Sequence, residues 1–284
     1  MMLVTGRKIL LDAHNNNYAV GAFNVNNLEF CKAVVKGAEE LSSPVILQVS
    51  QGAIKYAGVE ELAAIVSTIA KKIRIPIALH LDHGTDFNII MKCLRCGFTS
   101  IMFDGSKYEF AENIKRTKQI VDICHGMGVS VEGELGKIAG TEDEVSIKET
   151  EAMYTDVKEA ERFVEETGVD YLAIAVGTAH GPYKGEPRID FKRIEDIKNA
   201  IDVPLVLHGS SGVPEESIKK AIAKGINKFN IDTDLRKAFN EELRKFLEEN
   251  SEIYDPKRIL SVIDTSVSKI VKKKIRLFYS NNRI

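Results

Sequence analysis

Tryptophan is missing from the 284 residues and cysteine is scarce, with four in the whole chain. Cys31, Cys93, Cys96 and Cys124 lack the spacing of a secreted disulfide framework, which points to a reducing cytoplasm. Cys93-Leu94-Arg95-Cys96 has the form Cys-x-x-Cys, but no second pair accompanies it. It lies in an amphipathic helical pattern, so helix packing explains it better than zinc or redox chemistry. No apolar run approaches the ~20 residues of a membrane span, and the N-terminus lacks a signal-peptide pattern, so the expected location is cytoplasmic. Neither sign of charge is in large excess. A net charge of -2 removes the electrostatic reason to expect nucleic acid or an acidic membrane as partner.

The chain is 44% apolar and 28% charged, ordinary for a soluble globular protein and ample for a core. Its length admits one large α/β barrel or two small domains. Ala19 to Asn24 reads as a first strand, with Asn27 a plausible N-cap of a helix through Leu41. Pro44 to Ser50 is a second strand, followed by a helix from Gly58 to Lys72. Ile75 to Ala78 leads into Leu79-His80-Leu81-Asp82-His83-Gly84, a buried strand opening into a loop. A helix from Phe87 to Cys96 stops at Gly97. Thr99 to Gly105 is strand four, Phe110 to His125 a helix and Val129 to Glu134 strand five.

A polar run from Gly136 to Thr155 follows, of a length usually functional or mobile. Helices are expected over Asp156–Thr167, Phe191–Ala200, Glu215–Lys224 and Asp234–Asn250. Between them, apolar runs end at Val176, Leu207 and Ile231, and a final basic helix spans about Pro256 to Phe278. Eight apolar strands alternating with helices predict a single TIM (β/α)8 barrel over residues 1–284, with an extra C-terminal helix. In that fold the carboxyl ends of the strands share one mouth.

Polar residues gather at those ends. His83, His180 and His208 each end an apolar run and precede glycine. Any one histidine alone reads best as a hydrogen-bonded core residue. Three at strand ends can surround one Zn²⁺ and leave a position open, a catalytic rather than structural arrangement. His14 and His125 look like surface residues, and His80 shares strand parity with Asp82 as an interior polar partner. Asp82 could orient an imidazole or exchange a proton with a metal-bound substrate. Asp104 and Glu134 are either ordinary core-edge carboxylates or a second metal position. Gly209-Ser210-Ser211-Gly212 and Asn230-Ile231-Asp232-Thr233 follow the last two strands, where barrel enzymes often hold phosphate on backbone N–H groups. Lys184 and Arg236 could add charge there, or be ordinary solvated cations. No strand-end lysine suited to Schiff-base chemistry is evident.

These segments together resemble the class II, zinc-dependent fructose-bisphosphate and tagatose-bisphosphate aldolases over nearly the whole chain. The matching motifs are Tyr18 to Asn24, Leu81-Asp82-His83-Gly84, Asp104-Gly105-Ser106, Glu132-Gly133-Glu134-Leu135-Gly136, Gly177-Thr178-Ala179-His180-Gly181, Leu207 to Gly212 and Asn230 to Thr233. The resemblance implies a lyase that cleaves a sugar bisphosphate. His83, His180 and His208 would bind zinc, with Asp104 and Glu134 an alternative metal position. Asp82 would carry the proton of the C4 hydroxyl, and Glu142 the proton at C3 of dihydroxyacetone phosphate. Asn24, Ser50, Gly181, Lys184, Gly209, Ser210, Ser211, Asn230, Ile231, Asp232, Thr233 and Arg236 would bind substrate. Carbonyls near Ala179, Gly181 and Gly209 resemble a site for Na⁺ or K⁺. Asp232 and Arg236 match fructose-type members, whereas Asp264 stands where many relatives carry an arginine. Relatives form homodimers or homotetramers. Alternative readings are the tagatose ester as substrate, a zinc hydrolase on the same barrel, or a non-catalytic sugar-phosphate sensor with little need for both Asp82 and Glu142.

Overall fold

A helix absent from the sequence-based expectation opens the fold: α1 (Gly6–Asn15). Thr5 caps it, its Oγ1 accepting from Lys8 N at 3.2 Å. Strands and helices then alternate through β1 (Val20–Asn24), α2 (Leu28–Glu40), β2 (Val45–Ser50), α3 (Gln51–Ala57), α4 (Val59–Ala70), β3 (Ile77–Gly84), α5 (Phe87–Arg95), β4 (Ser100–Phe103), α6 (Phe110–Gly126) and β5 (Ser130–Leu135). A hairpin of β6 (Ala139–Glu142) and β7 (Val145–Ile147) intervenes. After it come α7 (Val157–Thr167), β8 (Tyr171–Ile174), β9 (Ala179–His180), α8 (Phe191–Ala200), β10 (Leu205–Leu207), α9 (Glu215–Lys224), β11 (Ile226–Ile231) and α10 (Thr233–Glu249). The computed structural model describes residues 3–142, 145–147, 153–181, 185 and 187–284, without side chains at 139–142 and 145–147.

Strands β1, β2, β3, β4, β5, β8, β10 and β11 pair in that order, all parallel, and β11 returns to β1 to close the barrel. This is the TIM barrel the strand count predicts. Strand alternation sorts its interior into layers. Val20, Ala22, Ile46, Ala78, Tyr171, Ala173 and Val206 form an apolar floor with Ile9, Leu10 and Ala13 of α1. Farther along the same strand faces come Asn24, Gln48, His80, Asp82, Glu132, Lys228 and Asn230, all buried. Helix α1 therefore plugs the amino end of the barrel, beneath a polar upper layer. Leu10 is fully buried there. Leu10→Ala is expected to destabilise the fold by about 2–5 kcal/mol, read as a lower denaturant midpoint, with activity per folded molecule unchanged.

The C-terminal segment is two helices rather than one, α11 (Pro256–Leu260) and α12 (Val262–Leu277), with Ser261 between them. Phe278 stacks on Phe229 with ring centroids 4.8 Å apart, and its carbonyl accepts from Ala19 N at 3.0 Å, fastening the chain end to β1. Within the polar run after β5, where the sequence predicts no strands, β6 pairs antiparallel with β7 and parallel with β9. All four cysteines are free thiols. Burial pushes Cys31, Cys93 and Cys124 up to about 12, which suits packing rather than redox work. Among the described residues no helix is long and apolar enough to cross a membrane.

Candidate active site and metal centre

Strict alternation along β3 would aim Asp82 into the barrel and His83 away from it. Two local features bring both to the mouth. The β3–β4 register shifts between Leu81 and Gly84, and His83 takes the left-handed φ of 48°. Gly84 allows the turn, since a Cβ there would lie 2.5 Å from the Met102 carbonyl oxygen. His208 directly follows β10. His180 lies beyond β8, on β9, so it is not delivered by a barrel strand end as the sequence suggested. The pairing of β9 with β6 fixes its backbone instead.

The three rings meet nonetheless. Their centroids are 4.8 Å apart for His83–His208, 5.3 Å for His83–His180 and 5.8 Å for His180–His208, with each pair edge to face. One nitrogen from each falls within 4.8 Å of the others. His83 Nε2 is 3.0 Å from His208 Nδ1. The opposite nitrogen of His83 faces a second group: Nδ1 is 3.1 Å from Asp104 Oδ2 and 4.0 Å from Glu134 Oε2. His83, Asp104 and Glu134 also bring ligand atoms within 4.8 Å of one another. The donor chemistry fits a borderline divalent ion in the all-imidazole cluster. Burial lowers the pKa of His208, outweighing the opposing effect of its hydrogen bond to the Glu132 carboxylate, so the neutral ring that a metal requires is favoured. At Asp104 burial raises the pKa. The bond to His83 and two donors from Ser106 more than offset it, holding the carboxyl well below the usual range.

Asp82 is fully buried beside this cluster. Its Oδ2 accepts from Asn24 Nδ2 at 2.9 Å and Gln48 Nε2 at 3.2 Å, and its Oδ1 from Asn230 Nδ2 at 3.1 Å. Three strands thus aim one carboxylate. Asn24 and Asn230, expected at the substrate, also serve as its orienting donors. Ser210 Oγ turns back to donate to Leu207 O at 2.8 Å, and Ser50 Oγ caps α3 by accepting from Ala53 N. Ser211 Oγ accepts from Asp234 N at 3.4 Å, tying the loop after β10 to the start of α10. Ile231 is buried at the end of β11, Thr233 begins α10, and Arg236 Nε donates to Asp232 Oδ1 at 2.7 Å. Gly181 and Gly209 both have positive φ, and a Cβ on Gly209 would sit 2.4 Å from Ala179 O. Gly209→Ala is expected to cost about 1–3 kcal/mol and to lower zinc uptake, because it drives the His208 loop away from β9. Chemical denaturation and metal analysis check this. Lys184 lies outside the described residues, as does the side chain of Glu142.

Several residues at the site were not singled out from sequence. Glu132 Oε1 accepts from His208 Nε2 at 2.9 Å, and Lys228 Nζ donates to Glu132 Oε2 at 2.7 Å. A lysine therefore does stand inside the barrel, but it is ion-paired and below the mouth. Period two could have found both, since Glu132 precedes Glu134 and Lys228 precedes Asn230 by two residues. Gln51 on α3 holds the loop after His83, its Nε2 donating to Thr85 Oγ1 and its Oε1 accepting from the Thr85 and Asp86 N–H groups. His80 is the interior partner expected, with Nδ1 2.6 Å from Ser100 Oγ. His125 is exposed as expected, whereas the His14 side chain is largely buried against Asn227 and Lys198.

The family profile described as fructose-bisphosphate aldolase class-II matches residues 4–283. The chain belongs to that family. Class II aldolases are metal-dependent lyases acting on sugar bisphosphates, so the protein is an enzyme of that type. Two relatives named fructose-bisphosphate aldolase are similar across their full length. The one from Thermus caldophilus is 45% identical over 99% of this chain, and that from Helicobacter pylori strain 26695 is 42% identical over all of it. A sulfofructosephosphate aldolase from Alkalicoccus urumqiensis is 41% identical over 100% of this chain and 99% of its own. Among solved structures, the YdjI aldolase of Escherichia coli K12 superposes with a TM-score of 0.86 at 35% identity, covering 99% of both chains.

Proposed function

We propose that this aldolase reversibly cleaves fructose 1,6-bisphosphate to dihydroxyacetone phosphate and glyceraldehyde 3-phosphate, with zinc held by His83, His180 and His208. The observation that carries the reading is the convergence of three imidazole nitrogens beside a buried, triply oriented carboxylate. When bound there, zinc supplies Lewis-acid polarisation of the substrate ketone. Asp104 and Glu134, with the far side of His83, form an alternative metal position.

Asp82 takes the proton from the C4 hydroxyl as the C3–C4 bond breaks and returns it in condensation. Asn24, Gln48 and Asn230 keep its oxygens aimed. Glu142 moves the proton at C3. Gly181, Lys184, Gly209, Ser211 and the Asn230–Thr233 stretch hold the C1 phosphate end of the substrate, with Ser210 beside them and Na⁺ or K⁺ bound by nearby carbonyls. Asn24 and Ser50 complete the substrate site. Asp232 contacts sugar hydroxyls and Arg236 the C6 phosphate. Asp264 pairs instead with Lys36 at 2.6 Å. The enzyme acts in the cytoplasm as a homodimer or homotetramer built from one 284-residue barrel domain; a monomer by light scattering would overturn that assembly.

Two other sugars are close. Tagatose 1,6-bisphosphate differs from the fructose ester only at C4, and the Alkalicoccus relative is named for a sugar bearing a sulfo group and one phosphate. The discriminating assay compares kcat/KM for all three. The fructose bisphosphate is expected to have the highest value, and a higher value for either other ester would reverse the substrate assignment.

A further inference from the structure

We propose that Lys228 is a positioning residue for the metal centre, fixing the His208 ring through Glu132 while touching neither substrate nor metal. This rests on the metal-dependent aldolase reading above. Lys228 on β11 and Glu132 on β5 are both fully buried and 2.7 Å apart. The second oxygen of Glu132 accepts from His208 Nε2 at 2.9 Å. With that nitrogen committed to Glu132, Nδ1 is left to face the cluster, where it lies 3.0 Å from His83 Nε2. A line of three side chains thus crosses the barrel interior from β11 through β5 to the loop after β10.

Stability alone does not account for the pair. Taking two charges out of water has a cost that their attraction roughly offsets, and a well-packed apolar pair of similar volume often serves a fold as well or better. An apolar pair could not hold an acceptor against His208 Nε2. The carboxylate is confined on its other side too. His80 Nε2 lies 3.5 Å from the oxygen that Lys228 binds. The His80 ring is itself fixed through Nδ1 to Ser100, which in turn bonds Tyr171. Lys228 therefore holds one oxygen of Glu132, with the His80 ring packed beside it, and the other oxygen is left pointing at the proposed ligand. Two residues farther along the same strands stand Asn230 and Glu134, so the pair forms the layer directly below the site.

The test is zinc affinity of the purified full-length protein, measured by competition with a chromophoric chelator. The unfolding midpoint of each metal-free protein is recorded alongside. Lys228→Met is expected to weaken zinc binding about 10–100-fold, as loss of an outer partner does. At saturating zinc its KM for the bisphosphate should be unchanged. Lys228→Arg should restore zinc affinity to within about threefold of wild type, since it renews the anchor. If Lys228→Met alone does not fold, the double variant Glu132→Gln with Lys228→Met removes both buried charges. It should recover metal-free stability yet still bind zinc at least about 10-fold more weakly. A stable double variant with wild-type zinc affinity would overturn the role of Lys228. Wild-type protein that takes up no zinc at all would instead overturn the metal assignment.

Discussion

Replacing Asp82 by asparagine is expected to lower kcat for fructose 1,6-bisphosphate cleavage by about 10²–10⁴-fold and to leave zinc content unchanged. The substitution keeps the shape of the side chain, and Asp82 is placed to carry a proton rather than to ligate. Its oxygens accept from Asn24, Gln48 and Asn230, three amides that an asparagine of the same shape can still engage in part. An amide cannot accept at both positions, so one of these donors loses its acceptor. The resulting stability loss should be about 1–3 kcal/mol, small enough for the variant to be purified. Steady-state kinetics and elemental analysis of one preparation separate the two properties. Zinc lost together with turnover would make Asp82 part of the metal site's structure.

His208→Ala should behave in the opposite way, losing the metal first. It removes one of three protein nitrogens and leaves Glu132 with an unfilled acceptor at the fully buried place where His208 stood. Zinc affinity should fall by more than the about 10–100-fold that loss of an outer partner costs. Activity should vanish at stoichiometric zinc and return in part when zinc is raised well above the new dissociation constant. Zinc content equal to that of the wild type after dialysis would contradict His208 as a ligand.

The barrel was legible because its strands are short apolar runs separated by amphipathic helices, a pattern set by burial on both sheet faces. What escaped was structure whose signal is weak or non-local. Helix α1 presents only a brief apolar face, and it is its packing on Tyr171, Ala173 and Val206, far along the chain, that makes it part of the core. The β6–β7 hairpin lies in a polar stretch rich in Gly, Thr, Asp and Glu, and β6 pairs with a strand two residues long. At the site, His83, His180 and His208 could be read because imidazoles after apolar runs are unusual. How His83 and Asp82, adjacent in sequence, both come to face the mouth could not, because it depends on a register shift and a left-handed residue. Glu132 and Lys228 were given no role for a different reason. Attention to strand ends passes over the layer one step below, although alternation along β5 and β11 places both residues inside.

Metal dependence of the cleavage reaction is the most direct test. The protein is assayed with fructose 1,6-bisphosphate as purified, after chelation with removal of zinc and every replacement divalent metal verified by elemental analysis, and again after zinc is restored. Activity should be lost on stripping and return with zinc. Full activity in the verified metal-free protein would contradict the assignment of His83, His180 and His208 to a catalytic metal.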